Sequence, residues 1–175
     1  SVEHEQLIRA DDVDLAIISG PLRNPNLDAE LIARSAYAWV ASTNVANSLG
    51  PSPTLSHVLA ATAITHARKT QAVTALEAKC VALNLSTDRI VHSSSLAACV
   101  PMALDGMGVA LLPLDLVQTD LASGRLSVID CGWTAPPLEF FAWCNRTRAP
   151  NFVLRAADMA SDAAIPSRIE KTDRQ

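Results

Sequence analysis

The chain is poor in basic clusters and in patterned cysteine, and each shortage closes a class of function. No basic run exceeds the Arg68-Lys69 pair and the net charge is -4, so the chain lacks the positive footprint that a phosphate backbone requires. The four cysteines, Cys80, Cys99, Cys131 and Cys144, stand far apart in apolar surroundings with no C-x-x-C pair. They read as small core residues in a reducing compartment rather than as disulfides or a metal site. No stretch approaches the run of about 18 apolar residues that a membrane-spanning helix needs. The opening SVEHEQLIRADD has neither the basic nor the apolar region of a secretory leader, and the expected location is the cytoplasm. There is no G-x-S-x-G elbow, no P-loop and no G-x-G-x-x-G, and His4, His57, His66 and His92 lack metal-ligand spacing. The expectation is therefore a protein that is not an enzyme and needs no cofactor.

What the chain has is apolar substance. Hydrophobic residues make up 49% of it, and a chain of this length can bury roughly 70% of its unfolded surface without a staple. VDLAIIS (Val13 to Ser19) is a β-branched run of parallel-strand character. After the Pro- and Asn-rich GPLRNPNLD, Leu31 to Ser42 reads as an extended pair broken near Ser35. Thr54 to Ala61 reads as a short helix and Thr62 to His66 as a strand. Gln71 to Asn84 is a helix by its spacing, with Val73, Leu76, Cys80 and Leu83 on one side. Val109 to Leu112 is a strand, Leu114 to Ser123 a helix closed by Gly124, and Arg125 to Asp130 a strand. Asn151 opens a last helix in which Phe152, Val153, Ala156, Ala157 and Ala160 share a face. Strands alternating with helices predict a mainly parallel α/β sheet.

The most informative stretch is Arg89 to Leu116, RIVHSSSLAACVPMALDGMGVALLPLDL. A short apolar strand ends in three serines, and an Ala-rich segment and Gly-x-Gly lead into a second buried strand. Hydroxyls and free backbone N–H groups after a strand form a concave donor array suited to carboxylates and other anions. The alternative is that the serines only cap a helix. Pro101 would remove a hydrogen bond from a helix interior, so the helix is expected to begin nearer Cys99 than Ser95. Gly106 and Gly108 serve the tight turn into the next strand.

AYAWVAS (Ala36 to Ser42) and EFFAWCN (Glu139 to Asn145) share the order aromatic, Ala, Trp, small apolar residue, and bracket two βα units. Paired side by side as hinge strands, Tyr37 to Ser42 and Phe140 to Asn145 would separate an inserted lobe from one made of both chain ends. Two unrelated core strands that both contain Trp would look the same.

In order, DVDLAIISGP, the Glu30 to Ile32 element, AYAWVAS, the strand ending at His66, HSSSL, GMGVALLP, GRLSVID and EFFAWC span nearly the whole chain. That ordered set resembles the effector-binding domain of LysR-type transcriptional regulators. The resemblance implies an α/β, two-lobed, type 2 periplasmic-binding-protein-like fold with two crossover strands. Lobe I would comprise 1–36 and 140–165, lobe II 37–139, with a flexible tail at 166–175. It further implies that a small molecule between the lobes controls transcription by the full-length protein. Self-association and DNA contact would belong to that protein, the latter through an N-terminal helix-turn-helix domain, with no membrane partner. Carried over residue by residue, the ligand-binding positions are Ser19 and Gly20 after the first strand, His66 and Arg68 after the TAITH strand, and Ser93, Ser94 and Ser95 after the next, with Ser1 in a preceding loop. A lone His after a strand, such as His66, is more often a structural hydrogen-bond partner than a ligand contact, and a charge such as Arg68 is more often solvated. The family's effector domain also opens with a strand, a helix and a second strand upstream of the SVEHEQLI segment, so the chain reads as a piece of a longer regulator. A free-standing solute-binding protein of the same architecture is the competing expectation.

Overall fold

A computed structural model of the protein describes residues 13–20, 29–144 and 149–163. The chain divides into two compact units, a discontinuous one that runs up to Ser35 and resumes at Leu138, and a continuous one, Ala36–Pro137.

The discontinuous unit contains strands β1 (Leu15–Ser19), β2 (Glu30–Ser35) and β8 (Leu138–Cys144) and the helix α6 (Asn151–Ala163). Its sheet has the order β1-β8-β2, and both flanking strands run antiparallel to β8. β1 was expected to be a parallel strand buried on both faces. Instead its burial alternates: Ala16 and Ile18 turn inward while Ile17 is 44% exposed, the period-two pattern of a half-covered antiparallel strand. Across β2 and β8, Arg34 faces Glu139 in register and donates to its Oε1 from Nη2 at 2.6 Å and from Nε at 2.9 Å. The pair is exposed and contributes at most about 1 kcal/mol. In α6 the inward residues are Val153 and Ala157, four apart, whereas Phe152 is 66% exposed and Ala156 also faces out. Of the expected face, Val153 and Ala157 are inward while Phe152 and Ala156, each about 100° back around the helix, are outward, so the buried stripe is narrower than expected.

In the continuous unit the strands are β3 (Tyr37–Ser42), β4 (Ala63–Thr65), β5 (Ile90–His92), β6 (Val109–Pro113) and β7 (Leu126–Ile129). The helices are α1 (Thr43–Ser48), α2 (Leu55–Ala60), α3 (Gln71–Ala82), α4 (Cys99–Leu104) and α5 (Leu114–Ala122). The sheet order is β5-β4-β6-β3-β7. β4 pairs parallel with β5 and β6, while β3 pairs antiparallel with β6 and β7. The expectation of mainly parallel pairing fails across the described strands. A fully buried strand shows the same apolar run whichever way its neighbours point, and β3 is buried from Tyr37 to Ala41.

The paired hinge strands are also corrected. β3 lies between β6 and β7, and β8 lies between β1 and β2 in the other sheet; Asn145 is outside the described residues. Each aromatic-Ala-Trp segment already has two partners, so the shared pattern reflects central position in separate sheets. Trp39, 1% exposed, donates from Nε1 to the Trp133 carbonyl at 3.1 Å, and the two rings meet at 50° with centroids 6.5 Å apart.

One core cluster joins Ala38, Val40, Ile64, Cys99, Ala103, Ala110, Leu112, Val117 and Leu126. Helix α3 buries Ala72, Val73, Leu76 and Cys80, but Leu83 follows the helix and is half-exposed. The turn from α4 into β6 closes by bonds from Gly106 N to Ala103 O and Met107 N to Met102 O. Together these form a Schellman cap with Gly106 at φ +75. A Cβ on Gly108 would fall on the Thr62 carbonyl oxygen, so glycine there permits β4 and β6 to approach.

Candidate functional site

The parallel strands β4 and β5 end together, with Thr65 opposite His92 in register. Ser93 N donates to Thr65 O at 2.9 Å, extending the ladder by one rung beyond the strands. From there the chain turns rather than continuing as strand, because Ser93 Oγ accepts from Ser95 N at 3.2 Å and donates to Ser95 O at 2.9 Å. Ser95 Oγ in turn accepts from Ala98 N at 3.3 Å. Bonds from Ala98 N to Ser95 O, Cys99 N to Leu96 O and Val100 N to Ala97 O wind the segment into tight turns, and α4 begins at Cys99 as expected. Pro101 is the third residue of α4, where its missing N–H interrupts nothing.

Each predicted position can now be located. His66 and Ser93 to Ser95 come together: His66 Nε2 lies 3.4 Å from the Ser94 carbonyl oxygen. Arg68 is exposed on the turn before α3 and makes no ion pair among the described residues. Ser19 and Gly20 end β1 in the discontinuous unit, with Gly20 N donating to Glu139 O at 2.9 Å. Ser1 lies outside the described residues. The Ser93 and Ser95 hydroxyls are committed to shaping the loop. The Ser94 hydroxyl and the backbone N–H groups of Ser94, Leu96 and Ala97 make no hydrogen bond among the described residues, and Ser94 and Ala97 are exposed. The loop therefore presents donors and can take an acceptor-rich ligand.

Three participants were not predicted. Thr65 is buried at 1% exposure, with Oγ1 2.9 Å from His92 Nδ1 and 3.4 Å from Val91 O. His92 Nδ1 also lies 3.4 Å from His66 O. Cys99 directs its thiol toward Ser95 O at 3.5 Å and Thr65 O at 3.7 Å. Burial pushes that thiol's pKa up, partly offset by Ser93, which favours the protonated, packed thiol over the thiolate. The signal for Thr65 and His92 was their position at the ends of two apolar runs, but it needed the strand register to become visible.

At the other end of the same sheet is a second, open concavity of about 430 Å³, lined by Ser42, Thr43, Asn44, Leu104, Asp105 and Arg125. Arg125 pairs there with the buried Asp120. Among the described residues no three His, Cys, Asp or Glu side chains group as metal ligands, and no helix is long and apolar enough to cross a membrane.

These features define an α/β protein with a donor-lined loop at the carboxyl ends of parallel strands. The comparisons with known proteins give it a family. Residues 1–162 match the family model of the LysR substrate binding domain, and the chain belongs to that family, with its two-lobed periplasmic-binding-protein-like fold. It is similar to the regulatory domain of HypT from Salmonella typhimurium, with 19% identity and TM-score 0.72 over 93% of this chain and 79% of that one. It is also similar to the C-terminal domains of a LysR family protein from Agrobacterium tumefaciens, with 22% identity and TM-score 0.68 over 91% of this chain and 75% of that one. The effector domain of AmpR from Pseudomonas aeruginosa matches at 19% identity and TM-score 0.63, over 90% of this chain and 77% of that one. No curated protein matches the sequence closely enough to report.

Proposed function

We propose that this chain is the effector-sensing part of a LysR-type transcriptional regulator, that it binds a small anionic metabolite, and that it is not an enzyme. The observation that carries the reading is the loop after β5, where three backbone N–H groups and the Ser94 hydroxyl stand without acceptors among the described residues. Water would satisfy them in the free protein, and a carboxylate would replace that water with charge-assisted bonds. Lobe I, expected over 1–36 and 140–165, would correspond to the discontinuous unit, and lobe II, expected over 37–139, to the continuous unit Ala36–Pro137. The ligand-binding positions of the continuous unit would be His66, Arg68 and Ser93 to Ser95. Ligand occupancy would bias the full-length, self-associating regulator, whose helix-turn-helix domain contacts DNA. The free thiols of Cys80, Cys99, Cys131 and Cys144 suit the cytoplasm.

The test is a thermal-shift screen of metabolite carboxylates followed by calorimetry on the hits. A ligand at a hundred times its Kd should stabilise the chain by about 2.7 kcal/mol. Hydrogen bonds to a charged group contribute roughly 1.5–3 kcal/mol each, so Ser94→Ala should weaken binding about tenfold or more. Ser123→Ala, whose hydroxyl only donates to Asp120 O at the end of α5, should leave it unchanged. Equal affinity in the wild type and Ser94→Ala would reduce the serines to a structural cap.

A further inference from the structure

Two imidazoles cross between the loops that follow β4 and β5. His66, just after β4, reaches the carbonyl of Ser94 in the opposite loop. His92, the last residue of β5, reaches back to the His66 carbonyl and the Thr65 hydroxyl. Carbonyl oxygens only accept, so a ring nitrogen that bonds to one must carry a proton. His92 Nδ1 lies between His66 O at 3.4 Å and Thr65 Oγ1 at 2.9 Å. A bare Nδ1 would aim its lone pair at the carbonyl oxygen. With a proton on Nδ1, the ring donates to both, and the Thr65 hydroxyl is free to donate onward to Val91 O at 3.4 Å. This arrangement satisfies the buried Thr65 hydroxyl as donor and acceptor. The same logic places a proton on His66 Nε2, which faces Ser94 O.

We propose that His66 and His92 form a reciprocal clasp, held in opposite neutral tautomers, and that His92 is the positioning residue that sets the shape of the Ser93–Ser95 loop. The 92–93 peptide is held by Ser93 N–H on Thr65 O, and the 94–95 peptide by its carbonyl facing His66 Nε2 and its N–H on Ser93 Oγ. The open N–H groups of Ser94 and Leu96 belong to the two peptides that flank the 94–95 peptide, so their directions depend on how it is held. The effect on ligand affinity rests on the proposed function; the tautomers and the loop geometry do not.

Long-range nitrogen–proton NMR of the ligand-free chain, in mildly alkaline buffer where imidazole is ordinarily neutral, reads both tautomers directly. The expected result is Nδ1–H at His92 and Nε2–H at His66. His92→Asn keeps a side-chain N–H near the Nδ1 position, and His92→Gln moves it toward Nε2. The Asn variant should therefore retain the wild-type amide shifts of Ser93 to Leu96, while the Gln and Ala variants move them. An Nε2–H tautomer at His92, or unmoved loop amides in His92→Gln and His92→Ala, would overturn the clasp. Acetate, titrated against the Ser94 amide, supplies the functional arm: about tenfold weaker binding in His92→Gln and near-native binding in His92→Asn. Failure of acetate to bind the wild type, with the tautomers as expected, would count against the anion reading and leave the clasp standing.

Discussion

Substituting Gly108 by alanine tests the close approach of the chain entering β6 to the Thr62 carbonyl. The new Cβ would collide with the Thr62 carbonyl oxygen, and that oxygen already accepts from Val109 N at 2.9 Å. The neighbours on both sides, Ala63, Ile64, Val109 and Ala110, have no exposure, so the strain cannot be relieved toward solvent. Overpacking of this kind costs about 1–3 kcal/mol. Losing the buried hydrogen bond as β6 shifts away costs about 1–3 kcal/mol more, and a total of about 2–6 kcal/mol follows. With a urea slope of about 2 kcal/mol/M, the unfolding midpoint should fall by about 1–3 M. Gly106→Ala in the same turn is the control: its φ is +75, but its Cβ would meet only Ser42 Oγ at 3.5 Å and Val45 Cγ2 at 3.7 Å. That variant carries the left-handed cost alone, about 1–2 kcal/mol. Urea unfolding followed by tryptophan fluorescence and far-UV circular dichroism measures both. If Gly108→Ala unfolds at the same urea concentration as Gly106→Ala, or higher, the argument from the Thr62 carbonyl is wrong.

Two other predictions concern burial. The thiols of Cys80, Cys99 and Cys131 and the phenol of Tyr37 have pKa values raised by burial, with the Glu77 charge adding to the shift at Cys80. The native chain thus keeps protons that the unfolded chain releases, so stability should be full below about pH 8 and fall as pH rises through the thiol range; a flat urea midpoint from neutral to alkaline pH would refute this. On α6, Val153→Ala should cost about 1–3 kcal/mol and Phe152→Ala less than about 0.5 kcal/mol, and a thermal melt in which Phe152→Ala costs as much as Val153→Ala would return Phe152 to the face expected from sequence.

The elements and their order were legible because apolar spacing and Pro/Gly punctuation are local. The break near Ser35, the start of α4 at Cys99 and the closure of α5 before Gly124 all rest on residues within a turn of the feature they determine. Pairing direction was not legible. VDLAIIS could be read as a parallel strand because composition reports how much of a strand is covered, not which neighbour covers it. The twin aromatic segments failed as partners for the same reason. At the candidate site, the cluster of His66 with the serines followed from reading two strand ends as neighbours. The Thr65–His92 contact did not, because it joins residues 27 positions apart through a register that no local pattern encodes.

The continuous unit carries its own fastening: Thr134 Oγ1 donates to Tyr37 O at 2.9 Å, and Trp39 Nε1 to Trp133 O, so its first and last segments lie side by side. Just outside this fastening, Ser35 pairs with Leu138. Arg34 and Glu139 are 105 positions apart along the chain. Closing so long a loop in an unfolded chain costs about 3 kcal/mol more than closing a four-residue turn. Once Ala36–Pro137 has folded, that cost is already met, and β2 and β8 behave as a hairpin whose turn is an entire domain. Assembly then has a direction. The inserted unit can form while its flanks are still loose, whereas the outer sheet inherits its stability from the insert, and damage around Trp39 should spread outward in a way that damage to β1 does not spread inward.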